Sequence, residues 1–189
     1  VDPLPANTTL NAEEQKRVLG GEATMWSEWV SPETIDSRIW TRTAAIAERL
    51  WSPREVNDVD DMYRRLDVIS VQLEELGLTH RKNQAMLLRR LVNGQDITAL
   101  QTLVDLIEPV KLYKRYQLRK QTMLSPLTGL IDAAQADAPK ARLFNKLVQK
   151  VVARKDDTSI HPLLKSFFSE WKNTGVQLKP LVENNPSLF

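Results

Sequence analysis

The chain has 189 residues, a formal net charge of +2, 42% hydrophobic and 26% charged residues, and no cysteine. This composition is typical of a globular protein, and the near balance of charge gives no argument for nucleic-acid or membrane-surface binding. Without cysteine there are no disulfides, thiolate metal ligands or cysteine nucleophiles. A complete (β/α)8 barrel needs roughly 250 residues, so a chain of this length cannot close one by itself.

The first 16 residues predict an irregular lead and one short helix. Pro3 and Pro5 favour an extended backbone. Asn11 followed by Glu14 is the signature of a capping box, which predicts a helix through Lys16. The start has no signal-peptide pattern and no initiator methionine, so we expect a fragment or a processed chain.

Residues 17–26 are predicted to form a strand that ends in a polar, aromatic loop. Gly20 and Gly21 interrupt its apolar residues, and a glycine pair in a strand marks a bulge or a close backbone approach. Trp26 and Glu28 stand where this strand would end. On extended backbone, positions two apart face the same side, so an indole and a carboxylate are predicted to be presented together.

An indole beside a carboxylate suits a pyranose sugar. The apolar C–H face of the ring stacks on an aromatic plane, and sugar hydroxyls donate to a carboxylate. Without further information, however, a tryptophan and a glutamate at this spacing are more commonly a core residue and a solvated surface residue, and this alternative applies to Trp26 and Glu28. Glu22, beside the glycine pair, is predicted to be a structural acceptor, because a lone carboxylate lacks the partner that a glycosidase needs.

Two longer helices are predicted before Gly77. Ser31 with Pro32 predicts a helix start, and that helix runs to about Trp51. Residues 52–55 repeat the same start pattern. A further helix, about 59–76, has the strongest amphipathic pattern in the chain.

The ends of this last helix are marked by Asp58 as its cap and Gly77 as its stop. Its first turn contains the acidic pair Asp60 and Asp61, which has the composition of a catalytic dyad. We favour a structural role for the pair, because negative charge in a first turn is stabilised by the helix dipole.

The second half of the chain is predicted to be a series of amphipathic helices with short connections, which pack as antiparallel neighbours in a helical bundle or array. The predicted spans are 84–93, 96–107, 109–122, 126–136, 139–153 and 161–173. The tail from Gly175 is expected to be extended, and either mobile or packed along the bundle through Leu178, Leu181 and Val182.

Other candidate sites are weak. His80 and His161 lack a ligand-type spacing, so no metal site and no cofactor are predicted. The segment 111–120 has five basic residues, two tyrosines and no acid. It admits a nucleic-acid interpretation, but a solvated basic helix face is favoured, so no nucleic-acid partner is predicted. No apolar run reaches the ~20 residues of a membrane helix.

Four spaced motifs resemble the β-N-acetylhexosaminidases of glycoside hydrolase family 20 and follow that family's order. They are GGEATMWSE at 20–28, RIWTR at 38–42, AIAERLWS at 45–52 and DVDDMYRRL at 58–66. The resemblance implies a chain that is mostly α in isolation. Residues 1–80 would hold the final strand and helix of a (β/α)8 (TIM) barrel, and 81–189 an appended C-terminal helical bundle.

The resemblance also implies roles for two residues. Trp26 would wall the N-acetylglucosamine pocket, and Glu28 would accept hydrogen bonds from ring hydroxyls. The family's catalytic Asp–Glu pair lies on an earlier strand, so we assign no catalytic residue to this chain. The parent would remove terminal N-acetylglucosamine or N-acetylgalactosamine from glycans, and the fragment alone is expected to be inactive.

An alternative function is a non-catalytic helical accessory or oligomerisation module, because residues 81–189 carry no recognisable chemistry. Under either hypothesis the expected partners are carbohydrate for the parent and a second copy of the chain through exposed apolar surface. The family resemblance implies an exported, periplasmic or envelope-associated parent.

Overall fold

A computed structural model describes residues 3–110, 114–118, 122, 124–153, 158–185 and 188. The chain divides into two compact units, Val1–His80 and Arg81–Phe189. The described residues are mostly helical and contain no β-strand, which confirms the predicted helical character.

The predicted strand over 17–26 does not form. Residues 18–26 have irregular backbone. A strand is held by ladder hydrogen bonds to a neighbouring strand, and the described part of the chain offers no such neighbour. The apolar pattern indicated an extended segment, but a pattern does not supply the partner that makes such a segment a strand.

Unit 1 contains three α-helices: α1 (Ala12–Gln15), α2 (Ile35–Trp51) and α3 (Val59–Glu75). The capping box of α1 is confirmed. The Asn11 side chain accepts from the backbone N–H groups of Glu13 and Glu14 at 3.0 Å each, and the Glu14 carboxylate accepts from Asn11 N–H at 2.8 Å.

The start of α2 lies three residues later than its sequence predicts. Ser31 does not cap the helix directly; instead the residues from Ser31 to Thr34 form a preceding turn. Ile35 N–H donates to the Ser31 carbonyl at 3.0 Å, and Ser31 N–H donates to the buried Thr34 hydroxyl at 3.0 Å. The second predicted start, at 52–55, is also wrong, since Val56 N–H closes a turn onto the Pro53 carbonyl at 3.0 Å and the next helix begins only at Val59.

Both ends of α3 are as predicted. The Asp58 carboxylate accepts from Asp60 N–H at 2.9 Å and Asp61 N–H at 3.0 Å. At the other end Gly77 has a φ of +99°, and Leu78 N–H donates to the Leu73 carbonyl at 3.0 Å. This left-handed residue with its back-bonded successor is the glycine stop that ends many helices.

Unit 1 has little interior of its own. Helices α2 and α3 pack together, yet every hydrophobic side chain among residues 3–80 keeps measurable exposure to solvent. Leu19 is 97% exposed, Trp51 94% and Leu76 79%. The fully buried residues described in this unit are polar: Thr34 and His80.

Unit 2 contains the remaining helices. In chain order they are α4 (His80–Leu91, whose first residue belongs to unit 1), α5 (Thr98–Val104), α6 (Lys114–Leu118), α7 (Leu130–Ala133), α8 (Pro139–Ala153) and α9 (His161–Asn184). The span of α8 agrees with its prediction, α4 begins four residues early, and α5 and α7 are shorter than predicted. Much of the predicted helix 109–122 lies outside the described residues.

The largest difference is in the tail, which is helical rather than extended as far as Asn184. Helix α9 continues through Pro180, and the Asn184 side chain donates to the Pro180 carbonyl at 2.8 Å. Leu178 and Leu181 pack against the core of unit 2. Apolar burial therefore offsets the cost of a proline inside the helix.

Unit 2 has a hydrophobic core of its own. Its buried members come from α4, α5, α7 and the C-terminal end, and include Leu87, Leu88, Leu100, Val104 and Leu188. Leu88 and Val104 have no exposed surface. A second contact region joins α8 to α9 through the aromatic rings of Phe144, Phe167, Phe168 and Trp171.

Candidate functional site

The two residues predicted to bind sugar lie at the start of a single 3-10 turn, Ser27–Trp29. Trp26 precedes the turn in extended conformation, with φ −86° and ψ 126°, and its side chain is 77% exposed. Glu28 lies inside the turn and is exposed. The expectation of extended backbone therefore holds for Trp26 and is wrong for Glu28, so the alternation of a strand does not apply to this pair.

Within this chain Trp26 is an exposed residue, not a core tryptophan. A core tryptophan would bury most of its ring, and this one buries less than a quarter. Among the described residues the side chains of Trp26 and Glu28 make no hydrogen bond and no ion pair. An open indole face can stack on the apolar face of a sugar ring, and an uncommitted carboxylate can accept hydrogen bonds from sugar hydroxyls.

A largely apolar groove of about 620 Å³ lies in unit 1, and neither Trp26 nor Glu28 lines it. One wall is the irregular segment from Gly21 to Thr24, which includes Glu22. The facing wall consists of residues from α2, α3 and the turn between them: Ala45, Ile46, Leu50, Val56, Val59 and Met62. Gly21 approaches the facing wall closely, because a Cβ on this glycine would lie 3.7 Å from Leu50 Cδ2.

An ion pair joins α2 to α3 beside this groove. Arg65 Nε donates to Glu48 Oε2 at 2.9 Å, and Arg65 Nη2 donates to Glu48 Oε1 at 2.6 Å. Arg65 Nη1 donates to the Asp61 carboxylate. The hydrogen bonds from Arg65 hold the pKa of the Glu48 carboxyl below its ordinary value. The two residues of this pair lie in the motifs at 45–52 and 58–66, but their contact was not predicted from the sequence.

The acidic pair Asp60 and Asp61 has the structural role predicted for it. Both backbone N–H groups are capped by Asp58, and the Asp61 carboxylate accepts from Arg64 at 2.6 Å as well as from Arg65. These contacts hold the pair within the first turn of α3.

The basic segment 111–120 lies partly outside the described residues. Within its described part, Arg115 does not face solvent as a phosphate-binding residue would. Its guanidinium binds the Asp132 carboxylate through two hydrogen bonds of 2.7 and 3.1 Å, and the Asp132 side chain is only 2% exposed. Arg115 is therefore a structural residue of unit 2.

The described residues contain neither a metal-binding cluster nor a membrane-spanning helix. No three His, Cys, Asp or Glu side chains among them are grouped so that they could hold a metal ion. His80 is buried, and its Nε2 lies 2.7 Å from the Ser70 hydroxyl. None of the described helices is long and apolar enough to cross a membrane.

Comparison with known proteins shows similarity to one family of glycoside hydrolases. Residues 1–54, which include Trp26 and Glu28, match the model of the glycosyl hydrolase family 20 catalytic domain. A probable beta-hexosaminidase (fdl) of Drosophila melanogaster is 45% identical over 74 residues, covering 36% of this chain and 11% of the relative. The beta-hexosaminidase subunit beta of Sus scrofa is 43% identical over 65 residues, covering 34% of this chain and 12% of the relative.

A solved structure extends the likeness to both units. The chitobiase of Flavobacterium johnsoniae matches 98% of this chain at 43% identity with a TM-score of 0.88. The chain spans 28% of that enzyme's length, and its matches span 11–12% of the two curated relatives. The catalytic-domain match over residues 1–54 and the fold shared with the chitobiase support a fragment of a glycoside hydrolase family 20 hexosaminidase.

Proposed function

We propose that the parent protein is a β-N-acetylhexosaminidase and that Trp26 and Glu28 form part of its sugar pocket. The observation that carries this proposal is the catalytic-domain match over residues 1–54, which contains both residues. The exposed Trp26 ring is available to stack on the apolar face of the hexosamine. The exposed Glu28 carboxylate is available to accept from its hydroxyls.

The proposed chemistry is substrate-assisted and retaining. The acetamido oxygen of the substrate attacks its own anomeric carbon, a glycosidic C–O bond breaks, and a carboxylic acid protonates the leaving oxygen. In the family an Asp orients the acetamido group and the neighbouring Glu is the acid. This sequence contains no match to that pair, so the chain by itself is proposed to be inactive, because transition-state stabilisation needs it.

We also propose that residues 1–80 complete a larger catalytic barrel. Two observations support this role: unit 1 has no fully buried hydrophobic side chain among its described residues, and it carries an apolar groove of about 620 Å³. Monomeric proteins rarely leave such apolar surface uncovered. The remainder of the catalytic domain would cover it, with residues 17–26 paired into the barrel sheet.

A second candidate function belongs to unit 2. Its self-contained core, from Leu87 to Leu188, is that of a module which folds around its own side chains. Residues 81–189 are therefore proposed to be an accessory bundle that supports the barrel end or mediates contacts between copies. This role is compatible with a catalytic parent.

The proposal is tested with a chromogenic N-acetyl-β-glucosaminide. We expect the parent protein to hydrolyse it and the 189-residue chain to show no turnover above the uncatalysed rate. Turnover by the 189-residue chain would show that the catalytic groups lie within it. A folded parent with no activity on either N-acetylglucosaminides or N-acetylgalactosaminides would contradict the proposed function itself.

A further inference from the structure

Unit 2 contains a groove of about 550 Å³ between the end of α4, the start of α5 and the last turns of α9. Six of its lining residues carry amide or carboxylate side chains: Asn93, Gln95, Asp96, Gln177, Asn184 and Asn185. We call this the amide groove. From its chemistry we propose that it binds a neutral glycan, at a site separate from the one that contains Trp26 and Glu28.

The first argument is charge. The chain has 26 lysine and arginine residues, but none of them lines the amide groove among the described residues. Its one formal charge is Asp96, whose carboxylate accepts from the Thr98 hydroxyl at 2.7 Å and from Thr98 N–H at 3.1 Å. A groove without a cation disfavours phosphate, sulfate and carboxylate ligands, and leaves neutral polar ones.

The second argument is hydrogen-bonding capacity. The side-chain amides of Asn93, Gln95 and Gln177 make no hydrogen bond within the described part of the chain. Each amide offers two N–H donors and one acceptor oxygen, and Asp96 adds acceptor oxygens. Sugar hydroxyls are donors and acceptors at once, so a surface that supplies both kinds of group in close proximity matches them.

The third argument is shape and rigidity. Apolar atoms of Pro180 and Leu181 provide a surface against which the C–H face of a sugar ring can pack, and the buried Val92 and Ala99 lie beneath the groove. The turn that carries Asn93 is fixed, since Gly94, with φ +79°, donates from its N–H to the Arg89 carbonyl at 2.8 Å.

The two sides of the groove are also tied together. The Asn185 side chain donates to the Leu91 carbonyl, which links the end of α9 to the end of α4. The polar groups are thus held on a defined frame before a ligand arrives, which lowers the ordering cost of binding.

The test is an NMR titration of the 189-residue chain with a β-linked N-acetylglucosamine trimer, following the side-chain amide signals. The choice of this probe rests on the proposed function, whereas the groove itself does not. We expect saturable shifts of the Asn93, Gln95 and Gln177 side-chain signals. Gln177→Ala should raise the Kd about three- to tenfold, the change expected when one neutral hydrogen bond is lost.

Gln149→Ala is the matched control, because Gln149 is an exposed glutamine on α8 that does not line the groove. It should bind as the unchanged chain does. The shifts of these three groove amides should persist in Trp26→Ala, even if that variant loses other contacts to the trimer, which separates the groove from the proposed catalytic pocket. Circular dichroism of each variant checks that the helices are retained.

Three results would overturn the proposal. In the first, the folded chain shows no shift of these amides at saturating trimer. In the second, binding is lost in Trp26→Ala and kept in Gln177→Ala. In the third, inorganic phosphate shifts the same signals and the trimer does not. The titration measures binding and not turnover, so none of these outcomes decides whether the parent protein is a hexosaminidase.

Discussion

Asp105 is held in unit 2 at an energetic cost. Burial raises the pKa of its carboxyl above the ordinary value, and the nearby Glu170 carboxylate acts in the same direction. Gln101, whose side chain donates to Asp105 at 2.9 Å, and Lys140 oppose the shift only in part. The ionised carboxylate is therefore less stable in the folded protein than in the unfolded chain.

The sign of the pH dependence follows from this raised pKa. The folded state binds the proton of Asp105 more tightly than the unfolded chain does. The free energy of unfolding therefore falls as pH rises from the pKa of Asp105 in the unfolded chain through its pKa in the folded protein. Asp105→Asn removes that loss, and we expect it to increase the free energy of unfolding at pH 7. Urea unfolding of both proteins between pH 3 and 7 measures the effect; an equal or lower stability of the variant at pH 7 would contradict it.

Helix α9 shows how far local sequence signals predict an element. The predicted span 161–173 has the correct start, but Gly175 and Pro180 indicated an early end. Both residues carry a local cost in a helix. The burial of Leu178 and Leu181 against a core assembled from distant segments outweighs that cost, and such contacts are not visible in a local pattern.

Gly175 gives a direct test of this account of α9. It lies inside the helix, and a Cβ added to it would meet no atom within 4 Å. We expect Gly175→Ala to raise the free energy of unfolding by about 0.5–1 kcal/mol, because alanine loses less backbone entropy in a helix. Thermal unfolding measures the shift.

Gly77→Ala is the control for this prediction. A Cβ at Gly77 also meets no atom within 4 Å, but its φ of +99° is strained for any residue with a side chain. Gly77→Ala should therefore destabilise the protein while Gly175→Ala stabilises it. Destabilisation by both variants would show that Gly175 is not held in ordinary helical geometry.

The candidate site was predictable only in part from its sequence. The residues Trp26 and Glu28 stand out in the sequence because they lie in a spaced motif at the end of an apolar run. Their local geometry did not follow, since the turn Ser27–Trp29 replaces the predicted extended backbone at Glu28. The Glu48–Arg65 pair joins residues 17 apart on two helices, so its contact depends on how α2 packs against α3.

At the scale of the whole molecule the two units differ in kind. Unit 2 buries a cluster of leucine, valine and alanine side chains, whereas unit 1 has no fully buried hydrophobic side chain in its described part. Since burial of apolar surface is the main favourable term in folding, we expect unequal local stability. Amide hydrogen exchange should show strong protection around Leu88 and Leu100 and faster exchange throughout α2 and α3.

Equal protection in the two units would contradict the view that unit 1 depends on surroundings outside this chain.

The exposed apolar groove of unit 1 leads to a further prediction about the whole chain. We expect the isolated chain to self-associate with increasing concentration, because uncovered apolar surface favours association. Light scattering across a dilution series measures the change in mass.

The assignment of Glu28 to the sugar pocket is tested by the hydrolysis of an N-acetyl-β-glucosaminide by the parent protein carrying Glu28→Gln. Loss of a charged acceptor for sugar hydroxyls costs about 1.5–3 kcal/mol, so we expect kcat/KM to fall about ten- to hundredfold. Glu55→Gln, at an exposed glutamate with no partner among the described residues, should leave it unchanged. Equal activity of the Glu28→Gln and Glu55→Gln proteins would contradict the assignment of Glu28 to the sugar pocket.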